Sequence, residues 1–205
     1  MKHTPQLVLA LSLLAIAASG QEVPVVRKND AGFSTQFFNN PQPPFLLMYK
    51  RMVAPAVALR VGMAISISNR RTNAQDNTSY NTFVNSFIAP SLGLEWQRSF
   101  GKIFTFYFGA DFRYSVNSYE SKAYLGNTLT SQYLQDGKSF TLSPLLGLRY
   151  NIIDQLYVAT EVNLNLGYSE STNTNIGPGV NAVSKTYEYQ AVLSPAVGLF
   201  FFYRF

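Results

Sequence analysis

The most constraining feature of this sequence is a two-residue alternation that recurs along most of its length. From Tyr187 to the terminal Phe205, every second residue is apolar or aromatic, and the residues between are mixed, small and partly charged. Five earlier segments alternate in the same way, beginning near Val57, Val84, Phe104, Phe140 and Leu156. Successive side chains of a β-strand point to opposite faces, so this pattern predicts long β-strands with one bulky apolar face each.

Two weaker segments complete the predicted set of strands. Residues 31–38 and 45–51 also alternate, but they are shorter, and three prolines lie between them. They bring the number of predicted strands to eight, an even number, as in bacterial single-chain barrels.

The first twenty residues read as an export signal. Lys2 and His3 form a basic head, residues 7–18 form a short apolar run, and Ala18-Ser19-Gly20 provides small residues for cleavage. About twenty apolar residues are needed to cross a bilayer as a helix, so this run is too short to be a span. We expect a cleaved signal peptide over residues 1–20, with Ala17/Ala18 as the alternative cleavage site, and a short N-terminal periplasmic segment over residues 21–30.

Composition excludes several classes of function. The chain has no cysteine, and its one histidine, His3, lies in the signal peptide. Ser-His-acid catalysis, thiol chemistry and His/Cys metal sites are therefore excluded. The Asp and Glu residues that could form a catalytic dyad each lie beside basic residues, which argues against that chemistry as well. The loop carboxylates have no EF-hand spacing. We expect no enzyme activity, no metal and no cofactor. Basic residues are scattered along the chain, which argues against nucleic acid as a partner.

The apolar faces of these strands favour a membrane barrel over a soluble sandwich. About 9 to 11 tilted residues cross a bilayer, and soluble strands average about 5 to 6. The apolar face is the bulky one, and the opposite face carries small residues with about one charge per strand, which suits a narrow closed lumen. The prediction is an all-β, eight-stranded antiparallel up-and-down transmembrane β-barrel over residues 31–205.

The predicted connections alternate in length, as they do in such barrels. Residues 52–56, 99–102 and 151–155 are predicted short turns at the periplasmic rim, where both termini also lie. Residues 69–81, 119–138 and 169–184 are rich in Asn, Ser, Thr and Gly, and they are predicted to be solvated outer loops. Aromatic residues in the second of these loops are candidates for surface contact, or alternatively pack across the barrel mouth or rest among lipid headgroups: Tyr119, Tyr124 and Tyr133.

A weak repeat marks three of the descending strands. Pro-x-[Leu/Val]-Gly-Leu begins at Pro90, Pro144 and Pro195, and an aromatic residue follows each proline six positions later. The repeat glycines are predicted to face the lumen, and each proline is predicted to leave a bulge or a gap in the strand ladder. The predicted inner aromatic girdle consists of Tyr49, Trp96, Tyr150, Phe201, Tyr203 and Phe205.

Ionisable residues on the opposite face are predicted to meet inside the barrel. Because buried charges must be paired or watered, we expect an ion-pair network that plugs the lumen. The alternative is a selectivity filter in a narrow pore. The residues are Lys50, Arg60, Glu95, Asp111, Arg113, Arg149, Glu161, Glu188 and Arg204.

These features resemble the small outer-membrane β-barrel proteins of the Bacteroidetes type. The resemblance rests on the signal peptide, the Tyr49-Lys50-Arg51 strand end, the Pro-x-x-Gly-Leu strands and the terminal Phe205. The family is similar in architecture to OmpA-type and OmpX-type barrels. The resemblance implies a Gram-negative outer membrane, contact with its lipid and lipopolysaccharide, and insertion by the barrel-assembly machinery, which reads a C-terminal strand ending in Phe.

Two classes of function remain open from the sequence. The first is a monomeric structural or surface-interaction protein with a plugged or very narrow lumen, serving envelope integrity or contact through polar outer loops. The alternative is a narrow porin-like channel for small solutes.

Overall fold

The computed structural model describes residues 29–36, 46–73, 79–101, 103–194 and 198–205. The predicted signal peptide and most of the predicted N-terminal segment therefore lie outside the described residues. The described chain is all-β, and its strands are β1 (Asn29–Gln36), β2 (Leu46–Ala54), β3 (Val57–Asn73), β4 (Ser79–Phe100), β5 (Phe104–Leu125), β6 (Thr128–Asn151), β7 (Leu156–Gly177), β8 (Val180–Ser194) and β9 (Gly198–Arg204). Within these residues, no helix is long and apolar enough to cross a membrane.

The strands form a closed antiparallel ring. Each strand from β1 to β7 pairs with the next along the chain, β7 pairs with both β8 and β9, and β9 pairs with β1. β8 and β9 pair with successive parts of β7, so together they fill one position and the ring has eight strands, as predicted. Main-chain hydrogen bonds of 2.8 Å in both directions between Asn29 and Phe205 hold the two chain ends of the barrel together. We call this the terminal end, and the opposite one the hairpin end.

The register shows that the strands are strongly staggered. Following the pairing from Phe33 on β1 once round the ring leads to Tyr189 on β8, twelve residues before Phe201, to which Phe33 is paired directly. Such a stagger tilts the strands relative to the barrel axis. Because of this tilt, side chains that lie at the same height along the barrel axis are not directly paired with one another in the strand register.

The predicted outer loops are largely strand, which corrects the prediction. β5 and β6 have 22 and 24 residues and meet at a two-residue turn, where Gly126 has a φ of 60°. β7 and β8 meet similarly at Gly179, with a φ of 77°. Of predicted loop 69–81, residues 69–73 and 79–81 are strand, and residues 74–78 lie outside the described part. We call residues 69–73, 79–85, 117–137 and 169–188 the hairpin extension.

The first two strands also differ from their predicted bounds. β1 begins at Asn29, so Asn29 and Asp30 belong to the barrel and not to the predicted N-terminal segment. Residues 37 and 38, its predicted end, lie outside the described residues. β2 continues to Ala54, which shortens the predicted turn 52–56 to two residues.

The proline prediction is confirmed at the two described positions. The β4–β5 ladder runs to Ile88 and resumes at Ser91, while Pro90 stays in register with Met63 on β3. In the same way, the β6–β7 ladder skips Pro144, which stays in register with β5. Because proline has no N–H to donate, each gap lies on the side where that donor would have pointed. Pro195 lies outside the described residues.

Candidate functional site: the barrel lumen

Alternation places a charged set of side chains inside the barrel. Arg60 on β3 is 1% exposed, although it is one of the largest side chains in the chain. Its guanidinium lies 2.7 Å from Glu95 on β4 and 3.0 Å from Asp111 on β5. It also makes two contacts of 2.9 and 3.0 Å with the two carboxylate oxygens of Glu161 on β7. One guanidinium thus binds carboxylates from three other strands.

The Arg60–Glu161 pair crosses the lumen. In a ring of eight, β3 and β7 are four strands apart whichever way they are counted. A bidentate arginine–carboxylate pair fixes both the distance and the orientation of its partners. The pair is therefore a direct tie between opposite walls of the barrel.

A lysine and two aromatic rings lie beside this tie. Lys50 on β2 donates a 2.7 Å hydrogen bond to Glu95, and its Nζ lies 4.7 Å from the Tyr107 ring centroid and 4.5 Å from that of Phe202. The Tyr107 hydroxyl donates to Glu161 at 2.9 Å. The ammonium is thus enclosed by one carboxylate and two ring faces, an arrangement that compensates a desolvated cation.

A second group is centred on Asp30 near the terminal end. Asp30 accepts a 2.7 Å hydrogen bond from the Tyr157 hydroxyl and a 2.9 Å bond from Arg204 Nε, and it lies 3.9 Å from Arg149. Gln97 joins the two groups. Its amide donates to Glu95 at 2.7 Å and accepts from Arg149 at 2.8 Å.

Together these residues form one compact network, which we call the lumen cluster. It holds four cations and four anions, namely Asp30, Lys50, Arg60, Glu95, Asp111, Arg149, Glu161 and Arg204. Because these charged side chains are largely shielded from water, their charges must be compensated within the protein. The equal numbers of cations and anions provide that compensation.

Glycines make room for the larger lumen side chains. A Cβ on Gly147 would overlap the Tyr107 ring, and a Cβ on Gly93 would overlap Asp111. Both glycines are buried and face inward, as predicted. In an interior only wide enough for side chains, a large residue on one strand requires a small one beside it.

The structure brings together seven of the nine ionisable residues predicted for the lumen. Arg113 and Glu188 are the two it leaves out of the described ion pairs. Sequence reasoning missed Asp30, because the apolar alternation begins only at Ala31. It also missed Gln97, Tyr107 and Tyr157, whose positions opposite the apolar face of their strands would have revealed them.

The outward face is apolar and carries the predicted girdle residues. Tyr49, Tyr150, Tyr203 and Phe205 are exposed on it, while Trp96 stacks on Phe108 at 5.8 Å. Phe201 stacks on Phe33 at 5.6 Å. The terminal end also has aromatic residues that the prediction omitted: Phe33, Phe100, Phe104, Phe106 and Phe108.

A second aromatic group lies nearer the hairpin end. Its members contact one another across neighbouring strands, and they are Phe112, Tyr114, Phe140, Tyr168 and Tyr189. Large exposed apolar side chains fill the surface between the two groups, among them Ile88, Leu92, Leu94, Leu142, Leu146, Val162 and Leu164. An apolar belt between aromatic groups is the surface that a membrane-spanning barrel presents to lipid.

The three predicted loop tyrosines are held within the sheet. Tyr119 packs edge-on against Tyr133 at 6.0 Å, and the Tyr133 hydroxyl donates to Asn173 at 3.0 Å. Tyr124 stacks on Tyr80 at 4.6 Å on the other face of the sheet. These rings are cross-strand pairs that stabilise the hairpin extension.

The hairpin extension also has a charged pair at its surface. Lys122 lies 2.8 Å from Glu120, and this hydrogen bond lowers the pKa of the Glu120 carboxyl below its ordinary value.

Over the described residues, no three or more His, Cys, Asp or Glu side chains are grouped so that they could hold a metal ion.

Comparison with solved structures identifies the fold. A major outer membrane protein from Thermus thermophilus matches with a TM-score of 0.50 and 15% sequence identity, over 88% of this chain and 100% of that chain. The fold is that of an outer-membrane β-barrel. CarO of Acinetobacter baumannii (TM-score 0.36, 14% identity, 91% of this chain and 98% of that chain) and Ail of Yersinia pestis (TM-score 0.37, 12% identity, 87% and 95%) also match. No protein-family model matches the chain, and no curated protein matches it.

Proposed function

We propose that the protein resides in a bacterial outer membrane as a monomeric barrel whose lumen is sealed by the lumen cluster, and that it presents the hairpin extension at the cell surface. The Arg60–Glu161 tie across the barrel carries this proposal, because an ion passing through would have to displace or pass that pair. An eight-stranded interior is just wide enough to be filled by side chains. The role is structural or one of surface contact, and the proposal includes no catalytic step.

The sealed part and the presented part are separate regions. The lumen cluster lies toward the terminal end, where all eight strands close the ring, and the hairpin extension is built from β3 to β8. Each long strand of the extension exceeds the roughly 9 to 11 residues that cross a bilayer. The excess must therefore lie outside the hydrocarbon layer, where its polar side chains meet water and lipopolysaccharide.

Conductance in planar bilayers tests the seal. We expect the purified wild-type barrel to give no stable ohmic steps under conditions in which a known porin conducts. Stable steps that change in size with Glu95→Ala or Arg149→Ala, but not with Arg98→Ala on the exposed outer face, would show a pore through the lumen. That result would replace the sealed barrel with the narrow-channel alternative.

Single cysteines test the orientation, since the chain contains no cysteine of its own. Asn127 lies in the β5–β6 turn at the hairpin end, and Asp154 lies in the β6–β7 turn at the terminal end. We expect a membrane-impermeant maleimide to label Asn127→Cys on intact cells and to label Asp154→Cys only after the outer membrane is permeabilised. The reverse pattern would refute the orientation, and labelling of neither in purified outer membranes would refute the location.

A further inference from the structure

A groove opens on the outward surface of the barrel near its terminal end. Its volume is about 310 Å³, which is within the size range of small-molecule sites. Among the described residues that line it, Arg98 is the one charged residue. The lining side chains that point outward from β4, β5 and β6 are Trp96, Arg98, Phe100, Phe106, Phe108 and Leu146.

The aromatic walls of the groove are positioned by the β4–β5 ladder. Trp96 is paired in register with Phe108. Arg98 is paired with Phe106, which packs edge-on against Phe100 at 5.3 Å. Arg98 Cζ lies 5.7 Å from the centroid of the Phe100 ring. A ring contact holds the guanidinium beside the groove without using its N–H donors, whose geometry suits a phosphate.

The position of Arg98 indicates what its charge meets. Arg98 is exposed on the outward face of β4, and it takes part in no ion pair among the described residues. A charge on the lipid-facing surface is costly at the middle of the bilayer and costs little at the interface. Arg98 lies two residues before the end of β4 at Phe100 and among the aromatic residues of the terminal end, which places it at the interfacial level. The anionic groups at that level are lipid phosphates.

We propose that the groove binds an anionic phospholipid, with the phosphate on Arg98 and one acyl chain along the aromatic rings and Leu146. One cation beside an apolar groove at the interface matches a molecule that has an anionic head and an apolar chain. The choice of phospholipid rests on the proposed function, because the proposed orientation places the terminal end in the leaflet that faces the periplasm. The site does not depend on whether the lumen conducts.

Trp96 makes this site measurable, because it is the single tryptophan of the chain and it lines the groove. Bromine atoms on an acyl chain quench tryptophan fluorescence on contact. The probe is phosphatidylglycerol with brominated chains, added in rising fraction to phosphatidylcholine vesicles that contain the barrel. Matched vesicles contain brominated phosphatidylcholine instead. We expect half-maximal quenching at an about fivefold lower fraction of phosphatidylglycerol, which is about the effect of one cation at a membrane surface.

Two variants separate the groove from general attraction to the membrane. Arg98→Gln should abolish the headgroup preference, so that the two brominated lipids quench equally. Arg51→Gln is the matched control, because Arg51 is also exposed on the outward face near the terminal end but does not line the groove. It should leave the preference unchanged.

Three results would overturn the proposal. They are equal quenching by the two lipids in the wild type, an unchanged preference in folded Arg98→Gln, and relief of quenching by unlabelled lipopolysaccharide at a lower fraction than by unlabelled phosphatidylglycerol. The maleimide labelling of Asn127→Cys and Asp154→Cys distinguishes these failures from failure of the proposed function. The expected labelling without a headgroup preference would overturn the lipid site alone. Reversed labelling would overturn the orientation, and with it the choice of phospholipid.

Discussion

Replacing Arg60 by methionine tests how strongly the lumen cluster holds the barrel together. The substitution roughly keeps the volume of the side-chain stem and removes the guanidinium. Asp111 and Glu161 then lose every ion pair that the structure gives them, while Glu95 keeps its 2.7 Å contact with Lys50. Two buried carboxylates are left without an ion-pair partner among the described residues.

The expected loss of stability follows from those two orphaned groups. Breaking a buried ion pair by removing one partner costs about 3 to 5 kcal/mol, because the remaining charge stays desolvated. We expect a loss of about 4 kcal/mol, which lowers the urea midpoint by about 2 M for a slope of about 2 kcal/mol per M. Trp96, the single tryptophan, reports unfolding by fluorescence from its place against Phe108.

Two comparisons make this experiment decisive. Arg70→Met changes an exposed arginine on the same strand, and it should shift the unfolding free energy by no more than about 0.5 kcal/mol. Adding Asp111→Asn and Glu161→Gln to Arg60→Met removes the orphaned charges, and the triple variant should recover most of the loss. A single-variant loss below about 1 kcal/mol, or a triple variant less stable than the single one, would refute the reasoning.

Two further predictions concern packing and the hairpin extension. Gly147→Ala places a methyl group against the Tyr107 ring, and the displaced ring should cost about 1 to 3 kcal/mol in the same urea assay. Gly177→Ala, whose Cβ would meet nothing within 4 Å, should cost less than about 0.5 kcal/mol, and equal losses would contradict the packing argument. Replacing residues 122–132 by Asn-Gly joins Ser121 and Tyr133, which are paired in the β5–β6 register, by a two-residue turn. The barrel should therefore still fold and run as a compact band on unheated gels. Loss of that band would show that the barrel needs the extension.

The barrel could be predicted from the sequence because lipid imposes a strict pattern on the strands it surrounds. Wherever one face meets lipid and the other meets the lumen, the side chains alternate, and the alternation gives both the strand and the direction of each side chain. The same parity that puts Leu92 and Leu94 outside puts Glu95 inside. This is why most of the lumen cluster was predictable without knowledge of its contacts.

The hairpin extension could not be predicted in the same way, because both of its faces are polar. Residues 117–137 contain Ser, Tyr, Gln and Thr on each side of the sheet, so no apolar alternation marks them as strand. The signals that remained were local. Tyr and Thr favour strands, and Gly126-Asn127 and Pro178-Gly179 are turn residues between two polar runs of matching length. Parity also places Gln97, Tyr107 and Tyr157 on the inward face. Which charged residue each of them contacts depends on the stagger between strands, and parity does not give that stagger.

The proposed division of the chain into a sealed end and a polar extension at the cell surface separates stability from recognition. The lumen cluster draws its charges from each of the strands β1 to β7 and from β9, so a change at any of its members disturbs contacts that hold opposite walls together. The hairpin extension consists mainly of neighbouring strand pairs, and contacts of that kind remain when an outer segment is removed. Substitutions in the cluster should therefore change unfolding without changing surface binding, and substitutions on the extension should do the reverse.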